Sequence, residues 1–438
     1  PGAAPGSAVP PGAATPASLL LSPSDSLVAA ASEMDPSLTA LGHTLHVRLV
    51  DDKYAVRRAA LTAIESWVVA SGLPLPSAIL QAVRTRCKDT SPNIRKAAAK
   101  TLSALLRHEP DSTSVRSAWL AGVLPLLRDS EPSVCDGALD AMAEHVLQPL
   151  ARCEKKPSRG FESVAWGLLT RLTAESEPLL QHGVCELAKQ KRLPAALAAT
   201  AQAMLAPVDD AMDDGTASNA SPAMVDATPV SVGARAAGRG ALWAILLELA
   251  KQPPAAGKAH RLDPHALSAC WAASHAVFRG NSATAVADEA AASTAHGHAV
   301  SEAAFALSVL TSLAKTTELP AEVVKSVGAD VREQLSMLDA SPRLLVPLVQ
   351  AAAALLPSAQ TAGGAAAWAA ELMALCEAEL HAALPALPAD GAEAAVVECA
   401  HAAIAKRTAT LVITGELAVR CPELLTPSLA EKVKEIAL

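Results

Sequence analysis

The stretch "DTSPNIRKAAAKTLSALL", residues 89–106, decides the fold. Asp89, Ser91 and Pro92 are turn formers. Ile94 and Arg95 follow, and then a run of alanine and leucine, both strong helix formers. Proline is tolerated in the first turn of a helix and not inside it, so the segment reads as a turn feeding a helix. The same order recurs in DDKYAVRRAAL (51–61) and DSEPSVCDGAL (129–139). Each copy has an Asp, a polar turn, a branched apolar residue and an Ala/Leu-rich run. Val56, Ile94 and Val134 are spaced by 38 and 40 residues. A stretch with helical apolar spacing precedes each turn, at 38–50, 77–87 and 115–128, and a fainter fourth copy lies at 175–187.

Two helices in about 40 residues, hinged at an Asp, is the HEAT pattern. One helix pair cannot bury both of its apolar faces, but stacked neighbours bury them jointly. The expected fold class is therefore all-α, a HEAT-repeat α-solenoid of stacked antiparallel helix pairs. Composition agrees: 51% of the chain is hydrophobic but only 2% aromatic, which suits thin, closely stacked layers. Thirty-one prolines among 438 residues imply many short helices. The six Trp (67, 119, 166, 243, 271, 368) fall in helical stretches and read as packing residues.

Composition shifts divide the chain. Residues 1–37, rich in Pro, Gly, Ala and Ser, read as a disordered lead-in. A HEAT block follows over 38–205, then an acidic, Ser/Pro-rich linker over 206–239. A degenerate helical block with flexible insertions fills 240–438, with shorter breaks near 252–263, 280–300, 357–366 and 385–393. The chain starts at Pro1 without a visible signal peptide, and the expectation is an excerpt of a longer polypeptide.

Asp51, Arg57, Asp89, Arg95 and Asp129 occupy matching places in the copies. Arg follows Asp by six residues in the first two, so these side chains are expected to form a ladder between repeats. The third copy carries Cys135 at the Arg place, where the ladder should break. Charge supplies the main functional candidate. The net charge is −8, yet residues 41–110 hold eleven Lys/Arg against five acids. Among the cations outside the ladder, Lys53, Arg58, Lys88, Lys96 and Lys100 are the candidate DNA contacts. Repeat stacking would align them into a stripe fit for a phosphate backbone. The competing account is a solvated face with intramolecular pairing.

Other chemistry is poorly supported. Eight scattered cysteines include no CxxC and read as buried reduced thiols. "DDAMDDG" (209–215) fails as a calcium loop, because Met212 and Ser221 stand where acids are needed. "GARAAGRG" (233–240) lacks the Lys-Ser/Thr ending of a phosphate loop. "HGH" (296–298) is expected in a loop. The sequence indicates no catalytic residue, metal site or cofactor. The longest uncharged stretch, 344–370, is broken by Pro and Gly and is no membrane span. Ser221 and Thr228, each before a proline in the 206–239 linker, are candidate phosphosites.

Five segments carry a family resemblance: "DTSPNIRKAAAKTLSALLRHEP", "VRSAWLAGVLPLLRDSEPSVCDGALDAM", "VAWGLLTRLTAESEPLL" (164–180), "GALWAILLELAK" (240–251) and "ELAVRCPELL" (416–425). Their order resembles the D-type HEAT-repeat non-SMC regulatory subunit of condensin II, closely over 41–190 and patchily over 240–438. The resemblance implies the middle of a large nuclear, chromosome-associated scaffold without enzymatic activity. It also implies kleisin and SMC ATPase partners, and a role in compacting mitotic chromosomes. Contact with duplex DNA or chromatin would come from the basic repeats, and no membrane or small-molecule substrate is implied. The rival expectation is another HEAT adaptor, a nuclear-transport or phosphatase scaffold that binds only protein.

Overall fold

A computed structural model describes residues 36–71, 75–154, 156, 161–206, 232–252, 261–280, 289–356, 366–382 and 394–437. Among them no β-strand forms, and the helices pack as stacked antiparallel pairs, the all-α HEAT-repeat architecture expected from the copies. The chain divides into two compact units, one ending at Glu109 and the other running from Pro110.

The first unit holds four helices: α1 (Pro36–Leu49), α2 (Tyr54–Ser71), α3 (Ser77–Arg86) and α4 (Pro92–His108). α1 pairs with α2 and α3 with α4, while α2 lies on α4 and α1 on α3, so two rows of two helices enclose one core. That core is aliphatic. Leu49, Leu61, Ile64, Ile79, Val83, Ile94 and Leu102 are fully buried, each contributing about 1.5–3 kcal/mol by leaving water. Gly42 lets α1 approach closely, since a Cβ there would stand 3.3 Å from Ile79 Cδ1 and 3.5 Å from the Trp67 ring.

The second unit opens with α5 (Thr113–Val123), a 3-10 turn at Leu124–Arg128 and α6 (Pro132–Met142). A π-turn at Ala143–Leu147 leads into α7 (Gln148–Ala151). Pro149 accounts for the π-turn: it has no N–H to donate and its ring would strike the preceding turn, so the backbone widens. Next come α8 (Val164–Leu169), α9 (Glu177–Lys189) and α10 (Leu197–Leu205). The fourth copy read at 175–187 is thus a turn and α9, with Leu180 buried where Val134 is buried in the third. Beyond lie α11 (Val232–Lys251), α12 (Pro264–Gly280), α13 (Glu289–Thr316), α14 (Ala321–Met337), α15 (Pro342–Leu355), α16 (Ala367–His381), α17 (Ala394–Arg420) and α18 (Pro427–Ala437).

Helices α9, α11, α13, α15 and α17 pack one on the next, and α10, α12, α14, α16 and α18 form a second row beside them. The two-row scheme of the first unit therefore persists where the sequence repeat has faded. Leu338 closes α14 in the left-handed region, at φ 56°. That conformation costs about 1–2 kcal/mol, which burial of its side chain offsets.

Several sequence expectations need adjustment. Residues 1–35 of the expected lead-in and 207–231 of the expected linker lie outside the described residues, as do Ser221 and Thr228. Within 206–239, helix α11 already begins at Val232, so "GARAAGRG" is helical and no phosphate loop. Helix α13 already occupies 289–300 of the break expected near 280–300, and "HGH" sits inside it rather than in a loop, carried by its alanine-rich run. Cysteine burial holds for Cys87, Cys270 and Cys376, whereas Cys399 is exposed. All six Trp are buried.

Candidate nucleic-acid interface

The turns between paired helices set the geometry of the first unit. In all three copies the Asp carboxylate accepts the backbone N–H two residues on: Asp51 from Lys53 at 2.9 Å, Asp89 from Ser91 at 3.0 Å and Asp129 from Glu131 at 2.9 Å. This Asx-type bond tightens the turn and starts the following helix. The Arg six residues later returns to the same turn. Arg57 Nη1 donates to the Asp51 and Asp52 carbonyls, both at 2.9 Å. Arg95 Nη1 donates to the Asp89 and Thr90 carbonyls at 2.9 and 3.3 Å. Cys135, at the matching place, bonds the Leu127 carbonyl through Sγ.

Arg57 also reaches forward. Its Nη2 donates to Asp89 Oδ1 at 2.9 Å, joining the first helix pair to the second. This pair is buried, with side chains 11% and 2% exposed. Arg86 Nη1 binds the other carboxylate oxygen at 3.1 Å. Burial alone would raise the Asp89 carboxyl, but the Ser91 N–H and the two guanidiniums outweigh it and hold it below the ordinary value. Arg86 was not singled out from the sequence. Its signal was available: R-x2-D-x5-R occurs at 48–57 and at 86–95, and Arg48 pairs with Asp51 at 3.5 Å in the same sense.

The five cations singled out as candidate DNA contacts are exposed. Lys53 immediately precedes α2 and Arg58 lies in its second turn; Lys96 holds Arg58's place in α4 and Lys88 precedes the Asp89 turn. Among the described residues none of these four has an ion pair. Lys100 differs, facing Glu65 across α2 and α4 at 3.9 Å. Neither α2 nor α4 has an acid in its first turn. Cations near a helix N-terminus oppose the macrodipole, at a cost of about 0.3–1 kcal/mol each. Helix stability therefore does not explain their position.

The second unit repeats the Arg-to-carbonyl strap without the sequence repeat. Arg239 Nη2 donates to the Leu205 carbonyl at 3.1 Å and to Glu302 Oε2 at 2.9 Å. Arg407 donates to the Leu380 and Ala382 carbonyls at 2.8 Å. Each closes the C-terminal end of an earlier helix, α10 or α16, where carbonyls lack intrahelical partners.

No helix among the described residues is long and apolar enough to cross a membrane. A family model described as "HEAT repeat" matches residues 79–108, which take in most of α3, the Asp89 turn and α4. Condensin-2 complex subunit D3-L of Xenopus laevis is 32% identical over 139 residues, 32% of this chain and 9% of that protein. Condensin-2 complex subunit D3 of Mus musculus is 31% identical over 139 residues, with the same coverage. Condensin-2 complex subunit CAP-D3 of Arabidopsis thaliana is 34% identical over 108 residues, 25% of this chain and 8% of its own. The matched stretch thus spans less than a tenth of these relatives. A solved structure of the TSC2 N-terminus aligns over 91% of the chain at 14% identity with a TM-score of 0.23, too low to carry an argument. Through its HEAT repeat and these three relatives, the chain resembles the D3-type subunits of condensin-2.

Proposed function

We propose that this chain is part of a non-catalytic HEAT scaffold in a condensin II-like complex, acting on mitotic chromosomes in the nucleus. It would bind kleisin and SMC ATPase subunits and touch duplex DNA through its first unit. The likeness to three condensin-2 D3 subunits supports membership. The DNA contact rests on one observation: Lys53, Arg58, Lys88 and Lys96 are exposed cations without ion pairs, set around the N-terminal parts of α2 and α4. Phosphates would relieve their mutual repulsion and meet the positive helix ends. Arg57, Arg86 and Arg95 serve the turns and the Asp89 rung instead.

Titration of the chain with a labelled duplex over a range of salt tests this contact. Four phosphate contacts give a log–log salt slope of about −3.6. Reversing Arg58 and Lys96 to Glu should weaken binding without altering fold, and each lost contact should lower the slope by about 1. A chain that ignores duplex DNA at low salt overturns the contact. A pull-down that returns transport cargo or a phosphatase, and no kleisin or SMC subunit, overturns the complex.

A further inference from the structure

Of the three clear copies of the repeat, the first departs from the others where its second helix opens. The third residue after the Asp is Pro92 in the second copy and Pro132 in the third, each in the first turn of its helix. Proline there is pre-organised for the helix, and the N–H it lacks has no intrahelical partner to lose. The first copy has Tyr54 at that place and Lys53 before it, where the others have Ser91 and Glu131. Helix formation does not ask for this exchange. Tyrosine is a middling helix former, and a cation at a helix start opposes the macrodipole. Core packing does not ask for it either. Tyr54 is 54% exposed, and its side chain has no hydrogen bond or ring contact among the described residues.

Tyr54 instead borders a groove. An open trough of about 480 Å³ runs along α2, lined by Tyr54, Ala55, Arg58, Ala59, Thr62 and Ala63. All six residues are exposed, and spacings of three and four put them on one helix face. Ala55, Ala59, Thr62 and Ala63 are small, so the floor is shallow and the Tyr54 ring and the Arg58 side chain are its two large members. Arg58 has no ion pair among the described residues, and the Lys53 ammonium belongs to the residue next to Tyr54. An aromatic face between unpaired cations, over a mostly apolar floor, matches the way single strands are held: bases stack on the ring and phosphates meet the cations.

We infer that the groove on α2 binds an unpaired base of a DNA strand, with the Tyr54 ring as the stacking platform and Lys53 and Arg58 on the flanking phosphates. This rests on the DNA contact proposed above and extends it to single-stranded stretches. In a duplex each base face is already covered by its neighbours, so a duplex can use the cations but leaves the ring idle. An unpaired base offers its face. Stacking of this kind tolerates any base, so the groove distinguishes unpaired from paired DNA rather than one sequence from another.

The chain holds a single tyrosine, so ¹³C-labelled tyrosine gives one ring signal from the full chain. The probes are a short mixed-sequence DNA strand, the same strand paired in a duplex, an abasic sugar-phosphate strand of equal length, and RNA of the same sequence. Fluorescence anisotropy measures binding of each separately. The single strand should move the Tyr54 signal upfield through the ring current of the stacked base, while the duplex and the abasic strand bind without moving it. Tyr54→Ala should weaken single-strand binding about tenfold and leave duplex binding unchanged. Tyr54→Phe should keep the affinity. Tyr54→Pro, which restores the helix opening of the other copies, should behave as Tyr54→Ala. A single strand that binds without moving the signal, or a duplex that moves it equally, overturns the inference and leaves the DNA contact standing. Failure of every DNA probe to bind at low salt overturns both. RNA binding more tightly than DNA overturns the assignment to DNA.

Discussion

Removing the rung between the first two helix pairs should weaken the first unit by a predictable amount. Arg57→Ala deletes one bond to a carboxylate that is 2% exposed and two bonds to turn carbonyls. Breaking a buried ion pair costs about 3–5 kcal/mol. Asp89 keeps the Ser91 N–H and Arg86, so the expected loss falls to about 2–3 kcal/mol. Asp89→Asn should cost about 2 kcal/mol, and the double variant less than the sum because the two share one interaction. Native-state hydrogen exchange on peptides from α2 and α4, followed against urea, reads this unit by itself. The pH dependence has a fixed sign. The folded Asp89 carboxyl lies below its ordinary value, so its contribution is complete above the unfolded carboxyl value near 4 and is lost as pH falls through the lowered one. The advantage over Asp89→Asn should hold at neutral pH and shrink below about pH 4. Single variants that cost under about 0.5 kcal/mol, a strictly additive double variant, or an advantage that grows on acidification would refute the reasoning.

Arg407→Ala should destabilise the packing of α16 against α17 by about 2 kcal/mol, since two carbonyls lose their donor; exchange in peptides around residue 380 measures it. Gly238→Ala should cost about 1–3 kcal/mol by overpacking, because a Cβ there would stand 2.6 Å from the Trp166 ring; a lowered urea midpoint checks it. Thiol labelling at pH 8 should modify Cys399 first, as it is exposed. Burial pushes the Cys87 thiol up to about 12 and those of Cys270 and Cys376 up to about 11, so these three should react only after unfolding.

The first unit was legible because its turn chemistry is local. Asp51 and Arg57, or Asp89 and Arg95, meet within one turn, so six-residue spacing in sequence becomes contact in space. The direction of the rung was harder to read. Arg57 Nη2 reaches 32 residues forward, while Arg95 Nη1 turns back to carbonyls of its own turn. The fainter half was hidden for a physical reason. Carbonyls at a helix end need a donor, but not one at a fixed sequence distance. Arg407 arrives from 25 and 27 residues away and Arg239 from 34 and 35, so the task persists after the motif has gone. The basic residues were identified by count, but Lys100's partner Glu65 lies on another helix, beyond what spacing reveals.

Cys135 has a mechanical consequence. Apolar burial resists separation of two layers but, being non-directional, resists sliding poorly. A 2.9 Å rung such as Arg57–Asp89 fixes register as well as distance. The third copy spends its Sγ on the Leu127 carbonyl, eight residues back in its own helix pair. Its tie to the next copy, Arg192 to Asp140, stands in solvent, where salt weakens it. Shear stiffness should therefore drop after α6, and rising ionic strength should soften that junction while leaving the Arg57–Asp89 junction unchanged.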